Sequence, residues 1–498
     1  MVELIRHRYK YFPYELELAK REVNTLMPAA ALSETSKGLR LSGDFDAETA
    51  HRLVYFASVW DGERYAPTMQ SQLERVNGNG PNRQSTRYSA HGLHEYKGKF
   101  NPQIARAILN ILDIPVGSRV LDPFCGSGTS LLECVHLGMN AVGTDINPLA
   151  VFIANAKLAA ISMPAATLRA ELAKIVKRER RIKVPKEGCN LAAREEYLLA
   201  WFTPEIFQQI ERLRLAIEES EPQTSAPLLA IASNLLRDYS FQDPNDLRIR
   251  RRKSPLPEKL FITAYEEAAE QFINKLEDAQ QIVRAAKPTS RAILTDSREM
   301  TAKALGSSEK FDCALTSPPY ATALPYIDTQ RLSLIWLDLI PPSEIPSLEA
   351  RLVGSREVRG QQSKRALLDQ LLCNAAGLPE AQADYCRMLQ GALCEDDGFR
   401  RKAVPLLLYR YFAGMAQVFS AIGPLMGKGA PFALIVGGNH TVLGGKRFDI
   451  NTPQHLAEIA SSCGWTHVET VPLQTYQRYG YHMDNAVTAE AMVIVRSK

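Results

Sequence analysis

Eight cysteines are scattered through the 498 residues, and no two form a CxxC pair. That spacing excludes a zinc ribbon and a thioredoxin-like redox site. So long a chain with so few cysteines is also not a disulfide-stapled secreted domain. No run of about 18 apolar residues occurs, so no membrane span is expected. The opening stretch MVELIRHRYKYFPYELELAKREV is charged throughout, unlike a signal peptide. The nine histidines show no HxxxH or other ligand spacing, and no metal is expected. GxxxxGK[ST] is missing, which excludes a P-loop, and so is the full GxGxxG of a dinucleotide site. Charge of neither sign dominates: 59 basic against 55 acidic residues leave a net +4. That balance says little about a polyanionic partner. A reduced, cytoplasmic compartment is the default.

What is present is an ordinary globular balance, 45% hydrophobic and 23% charged. At roughly 100–200 residues per domain, two or three folded units are expected. Residues 1–68 read as helical: YELELAKREVNTLM and DAETAHRLVYFASVW both carry apolar residues at helical spacing. A polar stretch from Gln70 to Ser89, broken by Gly78, Gly80 and Pro81, reads as a linker. Helix and strand then alternate: NPQIARAILNIL, SRVLDPF, GTSLLECVHLG, NAVGTDI, NPLAVFIANAKLAA. That rhythm predicts a parallel sheet with covering helices. It stops over residues 160–288, which look helical and charged. It resumes with strands in RAILTDS and KFDCALTSPPY, breaks again over a polar stretch from 341 to 402, and resumes with PFALIVGGN, TPQHLAEIASSC, THVETVPL and AEAMVIVRS. The expected fold is α/β and Rossmann-like, about seven strands in one sheet, with a helical N-terminal region and two insertions. The expected boundaries are 1–89, 90–159, 160–288, 289–340, 341–402 and 403–498.

Four strand ends carry the chemistry. DPFCGSGTS (122–130) joins a strand to a helix, and Gly126 and Gly128 let the backbone turn tightly against a ligand. Asp122 before these glycines would repel a pyrophosphate but pair with an ammonium group. Asp145 ends the next strand, about 20 residues on, where a carboxylate can accept from both ribose hydroxyls. Asp296 ends RAILTDS, placed to accept from an adenine amino group. Thr316-Ser317-Pro318-Pro319-Tyr320 ends another strand. Its two prolines remove N–H donors. Carbonyls and the Ser317 hydroxyl remain as acceptors, with the Tyr320 ring beside them. Accepting both N–H bonds of an aromatic amine pulls its nitrogen toward tetrahedral geometry and frees the lone pair. The ring can stack on a base swung out of a duplex.

DPFCGSGTSLLE and TSPPY on strands of one sheet resemble the cofactor and catalytic motifs of the DNA amino-methyltransferases. His94–Pro102, HEYKGKFNP, resembles the family's upstream cofactor-binding segment. SLIWLDL and VGGNHTVLGGKRFDI are also similar to the family. The resemblance covers most of 90–158 and 291–497. It implies S-adenosyl-L-methionine as cofactor and double-stranded DNA with a flipped target base as partner, with room for a cognate restriction or defence protein. It also implies roles. Asp122, Phe124, Gly126 and Gly128 wrap the methionine end, with Lys99, Phe100 and Pro102 completing that pocket. Asp145 holds the ribose and Asp296 meets the adenine. Ser317, Pro318, Pro319 and Tyr320 form the catalytic turn. Serine at the first catalytic position implies cytosine N4 rather than adenine N6. No Pro-Cys pair occurs, against a covalent cytosine-C5 mechanism. Cys125 reads as a packing residue, and His94 as ordering its loop.

The DNA-binding residues expected from the sequence are Arg248, Arg250, Arg251, Arg252 and Lys253, a basic run inside the 160–288 insertion. A second cluster runs from Lys174 to Lys186. No recognition domain is expected after the last strand; the 160–288 insertion is a candidate DNA-recognition region, and which of the two insertions reads DNA stays open. The aromatic group Tyr9, Tyr11, Phe12 and Tyr14 reads as packing. The alternatives are an adenine-N6 enzyme, an RNA amino-methyltransferase and an inactive DNA-binding subunit.

Overall fold

In the computed structural model the described residues are 2–28, 31–42, 47–60, 62–76, 84–184, 192–246, 249–283, 289–321, 327–358, 361–474 and 490–498. Gly78, Gly80, Pro81, Lys186 and Arg248 lie outside them. The first unit comprises β1 (Val2–Arg6), α1 (Pro13–Leu26), β2 (Ala31–Glu34), β3 (Gly38–Ser42), α2 (Ala47–His51), β4 (Phe56–Trp60), β5 (Tyr65–Pro67) and α3 (Met69–Val76). Its strands form an antiparallel sheet in the order β2-β3-β1-β4-β5. This corrects the expected helical N-terminal region. Helix α1 is where its spacing put it, but DAETAHRLVYFASVW holds helix only to His51. Phe56–Trp60, rich in β-branched and aromatic residues, pairs instead with β1, whose Val2 and Leu4 alternate inward. Tertiary pairing overrides the local period.

The second unit opens with α4 (Pro102–Ile111), β6 (Arg119–Asp122), α5 (Thr129–His136), β7 (Asn140–Asp145) and α6 (Pro148–Ser162). Five helices follow: α7 (Ala165–Glu179), α8 (Ala193–Leu199), α9 (Pro204–Glu218), α10 (Pro222–Leu235) and α11 (Phe261–Ile282). Then come β8 (Arg291–Leu294), β9 (Cys313–Thr316), α12 (Arg331–Trp336), α13 (Ile345–Arg351), α14 (Gln361–Leu372), α15 (Glu380–Gly391) and α16 (Phe399–Ile422). The chain continues with β10 (Pro431–Gly437), β11 (Asn439–Leu443), β12 (Lys446–Ile450), α17 (Thr452–Ser462), β13 (Trp465–Leu473) and β14 (Glu490–Ser497). The stretch 341–402, polar in composition, is thus mostly helical.

One seven-stranded sheet runs in the order β13-β14-β10-β9-β6-β7-β8. Only β14 is reversed, antiparallel to both its neighbours. This is the expected Rossmann-like sheet of about seven strands. Side chains on its central strands alternate between two cores. Val120, Leu315, Ala433 and Met492 point into one, with α5, α6 and the first insertion. Leu121, Ala314, Leu434 and Val493 point into the other, with α15, α16 and α17. The first unit fastens to α4, where Asn110 Nδ2 donates to buried Glu22 at 2.7 Å. No single described helix is long and apolar enough to cross a membrane.

Candidate active site

The strand order reverses between β6 and β9, because β7 and β8 lie to one side and β10 to the other. The crevice at such a switch point, beyond the carboxyl ends of the strands, is where open α/β sheets bind ligands. Asp122 ends β6 and Thr316 ends β9. Thr316 Oγ1 donates to Asp122 Oδ1 at 2.7 Å, directly across the crevice. Asp122 also accepts from the Phe124 amide at 3.0 Å and from the Ser130 hydroxyl. It is only 3% exposed, and burial pushes its carboxyl up to about 6 despite these bonds.

Asp145 ends β7. Its carboxylate accepts from the Gly126 amide at 3.0 Å and the Asn147 amide at 2.8 Å, so it holds the glycine loop to the neighbouring strand. Burial lifts this carboxyl to about 6 as well. Neither Asp122 nor Asp145 has a cation partner among the described residues. Gly126 (φ +49°) and Gly128 (φ +77°) are left-handed, as a strand-to-helix turn of this kind needs. A Cβ on Gly128 would stand 2.8 Å from Ala154 Cβ, so this glycine lets α5 close against α6.

A recess opens on this loop. Tyr96, Lys99, Phe100, Asp122, Phe124, Cys125, Gly126, Ser127, Ser130 and Ser317 are among its lining residues. Six of the residues expected at the cofactor and catalytic sites therefore meet there: Lys99, Phe100, Asp122, Phe124, Gly126 and Ser317. Pro102 starts α4 behind the N-cap Asn101 and does not line the recess. The Lys99 ammonium donates to the carbonyls of Thr86 at 2.9 Å and His91 at 3.3 Å, and burial lowers it to about 7. It thus stitches the 86–99 segment together. His94 binds the Glu95 carbonyl at 2.7 Å, ordering its loop. Burial pushes the Cys125 thiol up, as befits a packing residue.

The Ser317–Tyr320 turn is braced from two sides. Tyr320 donates its hydroxyl to Glu490 at the start of β14. Gly354 (φ +76°) lies on the turn so closely that a Cβ would meet the Tyr320 carbonyl oxygen at 2.7 Å. Asp296 stands apart. Arg298 grips both its oxygens, through Nε at 2.9 Å and Nη2 at 2.5 Å. Burial opposes ionisation there, yet the guanidinium holds the carboxyl below its ordinary value. A carboxylate so occupied has less to offer an adenine amino group than the sequence position implies.

Much of the basic run 250–253 is turned to internal use. Arg251 sits over the rings of Trp201 and Phe241, 5.4 and 5.5 Å from their centroids, and donates to the Ala200 carbonyl at 3.0 Å. Arg252 donates to the Asp238 carbonyl at 2.5 Å and the Ser240 carbonyl at 3.2 Å. Arg250 pairs with Asp246 at 3.1 Å. In the second cluster, Lys174 and Arg178 both pair with Glu171.

A family model described as DNA methylase matches residues 14–156. The type II methyltransferase M.MvaI of Kocuria varians is 26% identical over 271 residues, 51% of this chain and 59% of its own length. The chain thus spans little more than half of that relative. M.AvaI of Anabaena variabilis is 23% identical over 415 residues, 76% of this chain and 80% of its own. The family-model match takes in less than a third of the chain, and the 94–102 segment, the glycine loop and Asp145 all lie within it. A tRNA (guanine(10)-N2)-dimethyltransferase of Methanothermobacter thermautotrophicus is 42% identical over 52 residues, 10% of this chain and 16% of its own.

Several residues of the site escape sequence reasoning. Tyr96, within the HEYKGKF segment, packs its ring 3.3 Å from where a Gly126 Cβ would stand. Buried Lys157 donates to the Ser127 carbonyl and hydroxyl at 2.8 and 3.0 Å from behind the loop. Its place in the apolar helix NPLAVFIANAKLAA is the one available signal. Glu490 carries none.

Proposed function

We propose that the chain is an S-adenosyl-L-methionine-dependent DNA methyltransferase that modifies an exocyclic amine, with cytosine N4 the favoured target. The observation that carries this reading is the Thr316–Asp122 bond. It ties the catalytic turn to the glycine loop across the switch point, so that Ser317 and Gly126 line one recess. The donor set fits this cofactor. Buried Asp122 and half-buried Asp145, neither with a cation partner among the described residues, suit a ligand bearing an ammonium and a sulfonium, and left-handed Gly126 lines the recess. The bound cofactor supplies an electrophilic methyl group.

On this reading Asp145 accepts from the ribose hydroxyls, and Asp122, Phe124 and Gly126 surround the methionine portion. Lys99, through the Thr86 and His91 carbonyls, keeps the upstream segment folded over it. The Ser317 hydroxyl and the Pro318 carbonyl accept the two amine hydrogens, and Tyr320, steadied by Glu490, stacks on the flipped base. The cofactor would supply its methyl group to the freed lone pair, the N–C bond forming as the methyl–sulfur bond breaks to leave a neutral thioether; the amine proton would leave to solvent, with no covalent bond to the enzyme. Double-stranded DNA is then the partner, and the cytoplasm the compartment.

Neither hydroxyl nor carboxylate at position 317 is chemically barred from either base, because both accept hydrogen bonds. The spelling TSPPY favours cytosine. Methylated DNA digested to nucleosides and resolved by mass spectrometry should show N4-methylcytosine. Dominant N6-methyladenine would overturn the base while keeping cofactor and reaction type, and 5-methylcytosine would overturn the mechanism. The tRNA-modifying relative motivates a second reading, an RNA amine as substrate. Tritium transfer from labelled cofactor to duplex DNA and to RNA in parallel separates the two.

A further inference from the structure

We propose that the second insertion, through Arg351, Lys364 and Arg365, grips the phosphate backbone of the strand that delivers the target base. The first insertion is then not the principal DNA contact. The proposal rests on the DNA-methyltransferase reading and assigns the substrate surface of that same site.

Position is the first argument. Gly354 packs on the Tyr320 carbonyl, so the chain on either side of it borders the catalytic turn. A base flipped onto Tyr320 keeps its flanking phosphates close to that border. The first insertion covers one face of the sheet instead. Its α10 and α11 sit in the core with α6, and its Arg194 anchors to the Ile335 and Trp336 carbonyls at 3.1 and 2.8 Å.

Charge is the second. Residues 351–365 hold five cations against one carboxylate, Glu357. Of the five, Arg359 lies outside the described residues. The acceptors of this segment are withdrawn into the protein. Arg298 takes the Arg351 carbonyl at 2.9 Å, and Arg410 takes the carbonyls of Ser355 and, at 2.9 Å, Glu357. Arg351, Lys364 and Arg365 are exposed. Lys364 and Arg365 stand in the first turns of α14, whose opening turn carries no acidic residue, and neither forms an ion pair among the described residues. A helix N-terminus disfavours cations and attracts phosphate. Cations kept there at a cost to the helix, beside amides that themselves bind anions, suit a polyanion. By contrast, Arg251 and Arg252 of the first insertion spend their donors on their own chain.

The test is a salt titration with a random-sequence 30-base-pair duplex, followed by fluorescence anisotropy. Each phosphate contact adds about 0.9 to the slope of log affinity against log salt. Lys364→Ala/Arg365→Ala should flatten that slope by about 1.8 and weaken binding about tenfold or more near physiological salt. Cofactor affinity should be unchanged, which also certifies the fold. The single variant Arg365→Glu should act in the same direction. Arg250→Ala/Lys253→Ala should leave the slope alone. An unchanged slope in Lys364→Ala/Arg365→Ala, or a loss in Arg250→Ala/Lys253→Ala instead, overturns the assignment. Wild-type protein that binds cofactor but no DNA at any salt refutes the methyltransferase reading itself, a result visible before any variant is made.

Discussion

Asp122 is buried and Asp145 half-buried, and neither carboxylate has a cation partner among the described residues. A carboxyl raised from 3.8 to about 6 in the folded state costs stability while ionised. That cost is fully present above about pH 6 and fades as the pH falls from there toward 3.8. A bound cation offsets it, so cofactor binding should need both groups ionised. Calorimetry should find affinity steady at about pH 7.5 and falling below about pH 6, by about tenfold per unit for each carboxyl involved. A flat profile down to about pH 5 would remove both from the site. Asp145→Ala should weaken cofactor binding by about 1.5–3 kcal/mol, the worth of charge-assisted hydrogen bonds. Ser317→Ala acts elsewhere: turnover should fall by about 10²–10³-fold with cofactor affinity unchanged, because the lost acceptor works only in the transition state. These residues are legible in the sequence because each sits at a strand end in a short motif. Asp296 is legible by the same logic, but Arg298 two residues on has claimed it.

Elements read well where one period dominates and poorly where a partner decides. The alternation from α4 to α6 needs only local signals: proline at N1 behind Asn101 and Asn147, glycine at turns. β4 reads as helix until β1 is beside it. The basic run at 250–253 reads as a solvated patch, but Arg251 becomes a clamp once Trp201 and Phe241 close on it. Arg251→Ala should therefore lower the melting temperature, because about 1 kcal/mol of cation–π attraction goes with the guanidinium, and leave DNA affinity unaltered. Thermal denaturation and the duplex titration read the two effects separately. Gly128→Ala should cost about 1–3 kcal/mol, since the added methyl meets Ala154 Cβ at 2.8 Å in a left-handed backbone.

At the scale of the whole molecule, a buried polar network joins the upstream segment to α4 and α5. Glu133 accepts from Arg106 at 2.6 Å and Tyr88 at 2.9 Å, and bonds His91 at 2.6 Å. Burial opposes its charge, but Arg106, His136 (3.3 Å away) and His91 hold its carboxyl far below the ordinary range. Glu133→Gln leaves the Arg106 guanidinium without its counter-charge in a fully buried place. It should cost about 3–5 kcal/mol in chemical denaturation. Cofactor affinity should fall with it, because His91 carries the carbonyl that anchors Lys99. Normal stability in Glu133→Gln would show the network to be incidental.

The sheet class, the order of the motif-bearing strands and the residues at their ends can all be read along the chain. They depend on local period, glycine at forced turns and chemistry confined to a few adjacent positions. Folding in three dimensions alone makes β6 and β9 neighbours, with Thr316 bonded to Asp122 194 residues away. It likewise turns Arg251 inward and lays Gly354 on the Ser317–Tyr320 turn. These outcomes depend on which distant surfaces meet. A side chain's charge is fixed by its residue type, but its partner is chosen by packing among elements far apart in the chain.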